Sequence, residues 1–124
     1  MVLDEKTKIG IITLAIIIIT IFVFTFKDKV RVVDILYFRE DSCIVVNKTD
    51  KIIEEIKKDF NGYINLRIID RDKTTPDEEK LIKKYNVIGV PVIIINGKEY
   101  TKEFTKDNLE REICKKLLRK PKVC

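Results

Sequence analysis

Residues 85–98 read Tyr-Asn-Val-Ile-Gly-Val-Pro-Val-Ile-Ile-Ile-Asn-Gly-Lys, and the rest of the chain is best read outward from them. Pro91 to Ile95 is a short apolar, β-branched run, as a buried strand should be. Asn96-Gly97 follows, two residues that tolerate φ > 0, which is the strongest local signal for a tight hairpin. Lys98 to Phe104 is therefore expected to return antiparallel as the next strand.

Upstream, Thr75-Pro76-Asp77-Glu78 is a helix start on three counts. Thr75 can cap, Pro76 suits the first turn, and Glu78 stands three residues after the cap to complete a capping box. This helix should run to about Tyr85 with Leu81 and Ile82 inward. Tyr63 to Asp70 alternates, with Ile64, Leu66 and Ile68 on one face of a strand. Between Cys43 and Phe60 the apolar positions Val45, Val46, Ile52, Ile53, Ile56 and Phe60 fit one face of a helix, and Asn61-Gly62 stops it. Val30 to Phe38 reads as a mostly buried strand. Downstream of the hairpin, a helix beginning near Thr105 carries Leu109, Ile113, Leu117 and Leu118 inward and ends at Pro121. The order is β-α-β-α-β-β-α, which implies an α/β domain with a mixed four-stranded sheet flanked by helices.

The N-terminal part follows different rules. Ile9 to Phe26 is free of charge, bracketed by Lys8 and Lys27, and as a helix about 27 Å long, enough to cross a bilayer core. Its three threonines can bond back to the preceding turn. The run ends Phe-Val-Phe-Thr-Phe, the wrong chemistry for signal cleavage. We expect a short segment at 1–8, a transmembrane helix at 9–26, a tether at 27–29 and one domain at 30–124. The lipid bilayer is then a partner through Ile9 to Phe26, and the location is a cell membrane, crossed once. No ionisable residue marks a conduction pathway inside the run. Lys27, Lys29, Arg31 and Arg39 follow the run, against Lys6, Lys8 and the amino terminus before it. The margin of about one charge leans towards a cytoplasmic domain.

Composition removes other classes. The chain has 124 residues and no His, which excludes Ser-His-Asp and Cys-His machinery and imidazole metal sites. Three Cys are too few and too scattered for a zinc module or a disulfide-stapled mini-protein. No metal site and no cofactor are expected. The net charge of +5 is mixed along the chain without a basic stripe interleaved with aromatics, so no nucleic-acid partner is expected.

The element order and two motifs resemble the thioredoxin-like superfamily over about residues 30–120. Residues 85–98 resemble the segment in which a short loop ends in a cis-proline before a strand and hairpin. The resemblance implies that Pro91 is cis and that Val90 offers its backbone to an extended substrate chain. Leu36-Tyr37-Phe38-Arg39-Glu40-Asp41-Ser42-Cys43 resembles the strand, loop and first active-site cysteine. Three departures follow. The second motif cysteine is Val46, so C-x-x-C has become Cys43-Ile44-Val45-Val46. The usual Trp is Ser42, and the buried acid aligns with Tyr37. A cycle through a motif disulfide is thereby excluded.

Cys43 remains as the candidate catalytic thiol. At a helix N-terminus the dipole and free N–H groups favour a thiolate, with Arg39 supporting and Glu40 and Asp41 opposing. A monothiol can form a mixed disulfide but needs a resolving thiol. Small thiols, a partner protein, Cys114 or a mobile Cys124 are the candidates, although Cys114, beside Ile113, reads as a half-buried inert thiol. Two readings stay open: a membrane-anchored monothiol exchange protein, or a redox-inactive module whose groove beside Pro91 binds an extended peptide or partner protein at the membrane.

Overall fold

A computed structural model describes residues 4–26 and 29–124. The tether expected at 27–29 falls, apart from Lys29, outside the described residues. Helix α1 covers Glu5–Phe26. It is long and apolar enough to cross a membrane, and none of its apolar stretch is buried within the protein. Thr13, Thr20 and Thr25 donate their hydroxyls to the carbonyls of Ile9, Ile16 and Ile21 at 2.8–2.9 Å. Every hydroxyl in the apolar run is thus satisfied without water.

Strand β1 (Val33–Arg39) is the centre of the rest. Side chains alternate across a strand, so Val33, Ile35 and Tyr37 face one side while Leu36 and Phe38 face the other. The four-stranded sheet runs β2-β1-β3-β4, with β2 at Ile64–Asp70, β3 at Val92–Ile95 and β4 at Lys98–Glu99. β1 is parallel to β2 and antiparallel to β3. Helices α2 (Ile44–Asp59) and α4 (Lys106–Lys116) bury Ile53, Ile56, Leu109 and Ile113 against Val33, Ile35, Tyr37 and Ile93. Helix α3 (Pro76–Lys84) sits on the other face, where Leu81 and Ile82 pack on Phe38, Ile69 and Ile94. Each such aliphatic or aromatic side chain, once fully buried, contributes roughly 1.5–3 kcal/mol.

Local signals produced the expected turns and caps. Asn96 and Gly97 both have positive φ (47° and 80°), the backbone that a twisted two-residue hairpin needs. The Asn96 side chain accepts from the Asp34 N–H at 2.9 Å, tying the hairpin to β1. The Thr75 hydroxyl accepts from the Glu78 N–H, and the Glu78 carboxylate accepts from the Thr75 N–H, both at 3.3 Å.

Three elements differ from expectation. β1 starts at Val33 rather than Val30, because Val30 pairs elsewhere: its N–H donates to the Lys116 carbonyl at 2.8 Å, and its carbonyl accepts from the Leu118 N–H at 2.9 Å. α4 accordingly stops at Lys116 instead of reaching Pro121, and Leu117 leaves it extended, buried and bridged to Val30. β4 is two residues rather than seven, because Tyr100 and Phe104 turn inward onto the core beside Tyr37, stacking edge to face at 6.5 Å.

Candidate thiol site

β1 delivers its last residues to the end of the sheet opposite Val30. Phe38 lies across from Val92, so the turn after β1 and the loop before β3 share that end. Cys43 follows in the first, and Val90-Pro91 lies in the second. Cys43 is the N-cap residue of α2, with extended backbone (φ −93°, ψ 119°). It is partly exposed and free, and its side chain caps no N–H of the first turn. The N-terminal turn of a helix carries N–H groups with no intrahelical acceptor, and here no acidic side chain lies among them. The thiol therefore stands at a positive helix end without a competing carboxylate in that turn.

The Val90–Pro91 peptide bond is cis. Neither the N–H nor the carbonyl of Val90 has a partner among the described residues, so both are available to an extended chain. Exposed apolar side chains flank both in the chain: Ile44 and Val45, which follow Cys43, are 90% and 59% exposed, and Ile88, two residues before Val90, is 80% exposed. Val46, where the resembled family carries its second cysteine, is fully buried. A larger concavity, lined by Asp34, Asn65, Arg67, Tyr85 and Asn96, opens towards the other end of the sheet, and no cysteine lines it.

Arg39 was expected to support a Cys43 thiolate, but its guanidinium is already engaged by three carboxylates. It meets Asp41 at 2.7 Å, Asp70 at 2.9 Å and Asp50 at 3.0 Å. Its hydrogen bonds to Asp50 and Asp41 hold its pKa above the ordinary arginine value. The Asp50 carboxylate also accepts from the Tyr37 hydroxyl at 2.8 Å, and that hydroxyl lies 2.7 Å from the Thr49 hydroxyl. Tyr37, aligned with the family's buried acid, is thus a buried phenol locked into a polar network. Burial is the first cause that raises its pKa. Thr49 lowers it and Asp50 adds to the rise. The carboxylates of Asp41, Asp70 and Asp72 come within 4.8 Å of one another. Arg39 pairs with two of them, and Asp72 accepts from the Asp41 N–H at 3.3 Å. This is an ion-pair network, and sequence reading missed it because Asp50 and Asp70 reach Arg39 from two different elements.

The other two cysteines differ most from expectation. Cys114 is not an inert single thiol, and Cys124 is not free to resolve a Cys43 adduct. They form a disulfide with Cα atoms 5.8 Å apart, closing a loop of ten residues. Ending α4 at Lys116 lets the chain fold back through Pro121 and bring the two sulfurs together. The sequence signal was the close spacing of the two residues around a proline.

No family model matches the chain, and no curated protein matches it. Solved structures do. Thioredoxin-2 of the malaria parasite, a component of its protein secretion machinery, superposes with a TM-score of 0.55 at 24% identity, over 66% of this chain and 81% of that one. A thioredoxin-like protein from Clostridium perfringens gives 0.55 at 20% identity over 68% and 71%. The first two thioredoxin domains of Naumovozyma dairenensis Eps1p give 0.55 at 18% over 74% and 37%. With the sheet order, the cis Val90–Pro91 bond and the helix that starts after Cys43, these likenesses fix the architecture: from Val30 onward the chain has the thioredoxin-like fold.

Proposed function

We propose that this protein is a membrane-anchored thiol–disulfide exchange protein of monothiol type, with α1 as the anchor and Cys43 as the nucleophile. The observation that carries the reading is a single free, partly exposed cysteine at a helix N-terminus, at the sheet end that also bears the cis Val90–Pro91 loop. An extended substrate segment pairs with the free backbone groups of Val90, and Ile44, Val45 and Ile88 receive its apolar side chains. The Cys43 thiolate then attacks one sulfur of the substrate disulfide. A Cys43–substrate disulfide forms, the substrate S–S bond breaks, and the other substrate sulfur leaves as a thiolate. With Cys124 held by Cys114 and a buried valine at position 46, the resolving thiol comes from outside. A small thiol of the glutathione class, or a thiol of the partner, attacks the substrate sulfur of the mixed disulfide and returns Cys43 as a thiolate.

The test uses the full chain in detergent or nanodiscs, incubated with oxidised glutathione or with a peptide disulfide. Intact-mass and peptide analysis should find one adduct, on Cys43, that is absent from Cys43→Ser and reversed by reduced glutathione. An unmodified Cys43, while an unrelated exposed thiol peptide reacts under the same conditions, sinks the exchange reading. The groove beside Pro91 would then be a binding site alone.

A further inference from the structure

The Val30–Leu117 bridge gathers two distant segments that share one property. Val30 stands four residues after the end of α1, so whatever path residues 27–29 take, it lies within about 14 Å of Phe26. The bridge fastens the segment after α4 to this point through two backbone hydrogen bonds, and the Cys114–Cys124 disulfide folds the remainder back onto α4. That segment reads Leu117-Leu118-Arg119-Lys120-Pro121-Lys122-Val123-Cys124, directly after Lys115-Lys116. With Lys29 and Arg31 on the other segment, these two described stretches bring seven basic residues and no acidic one of their own to this end. That excess is greater than the net +5 of the whole chain, so the remainder of the molecule is slightly acidic.

Most of the charges on the C-terminal stretch are available. Lys116 pairs with Glu112 at 3.4 Å, but Lys115, Arg119, Lys120 and Lys122 are exposed and have no carboxylate partner among the described residues. Between them stand apolar side chains that the fold leaves exposed: Val30, Val32, Leu118 and Val123. Basic residues interleaved with exposed aliphatic ones, directly beyond a bilayer-spanning helix, match the composition of an anionic headgroup layer in both charge and polarity. Attraction to such a surface acts over about a Debye length of 8–10 Å, a span comparable to the reach allowed by the tether.

We infer that this bridged, disulfide-closed basic end docks on anionic lipid headgroups of the leaflet where α1 emerges, so that the domain is held against the membrane by a surface as well as by a tether. The inference rests on α1 being a membrane anchor.

The test is hydrogen exchange of the full chain in two nanodiscs, one zwitterionic and one containing anionic phosphatidylglycerol. Protection of α1 in both reports insertion. Amides of 115–123 and 29–32 should exchange about tenfold more slowly in the anionic discs. The difference should vanish in raised salt and in the triple variant Arg119→Glu, Lys120→Glu, Lys122→Glu. If α1 is protected and these amides exchange alike in both lipids, the docking is overturned and the anchor stands. If α1 is unprotected in both, the anchor reading itself fails and the docking falls with it.

Discussion

Tyr37 occupies the core position where the resembled family keeps an acid, and its hydroxyl is held between Thr49 and Asp50. Its raised pKa has a direct consequence for stability. Below the unfolded value near 10 the phenol is neutral in both states and its contribution is intact. Above it the unfolded chain ionises first, so stability falls as pH rises towards the folded value. We expect the melting temperature of the wild type to drop more steeply than that of Tyr37→Phe between about pH 9 and 11. Tyr100, also raised chiefly by burial, leaves a common residual slope in both proteins. Identical slopes would mean that Tyr37 ionises as freely in the folded state as in the unfolded one. Position 37 was legible in the sequence as a core residue, but its polar partners were not. Thr49 and Asp50 come from α2, and only the packing of that helix on β1 brings them within reach.

Elements whose signals are local were the ones the sequence stated clearly. The Thr75-Pro76-Asp77-Glu78 start and the Asn96-Gly97 turn each depend on neighbours within four residues, and both formed as read. The end of α4 depends on Val30, and the brevity of β4 depends on where Tyr100 and Phe104 find their core, so neither boundary is written locally. The same distance hid the C-terminal strap. Cys114 looked like a helix-face thiol because the periodicity of Leu109, Ile113 and Leu117 continues past the true helix end. The strap carries its own prediction. Closing a ten-residue loop reduces unfolded-state entropy by an amount equivalent to about 2–3 kcal/mol, so the double variant Cys114→Ser/Cys124→Ser should lose about that much stability in chemical denaturation. Reduction of the wild type should reproduce the loss. A midpoint indifferent to reductant would show that the strap adds nothing to the folding equilibrium.

At the scale of the molecule, α1 makes a claim that fractionation can check. Its apolar stretch is unburied by the domain, and its threonine hydroxyls are satisfied within the helix. The expressed full chain should remain in the membrane pellet through high salt and alkaline carbonate and be released only by detergent. Its intact mass should still include residues 9–26. Release by salt alone would make it a peripheral protein, and a mass lacking the apolar run would make that run a cleaved signal. The fold-level outline was visible from the order of elements and from residues 85–98. Of the candidate site, Cys43, Val90 and Pro91 were visible only through resemblance, because the sharing of one sheet end by their two loops is a property of register that no single segment encodes.

The chain enters the domain at Val30, and the thiol lies beyond the opposite end of β1, whose six residue steps span about 20 Å. With α1 as the proposed anchor and the Val30 end docked as inferred, a site carried at that height would sweep a thin layer parallel to the bilayer instead of a volume. Any disulfide-bearing protein rooted in the same membrane, with its own reactive segment at that height, would then meet Cys43 at an effective concentration in roughly the millimolar range. A few exposed apolar side chains and one cis-proline edge would then suffice, since confinement would supply the encounter that a deeper pocket would otherwise have to secure.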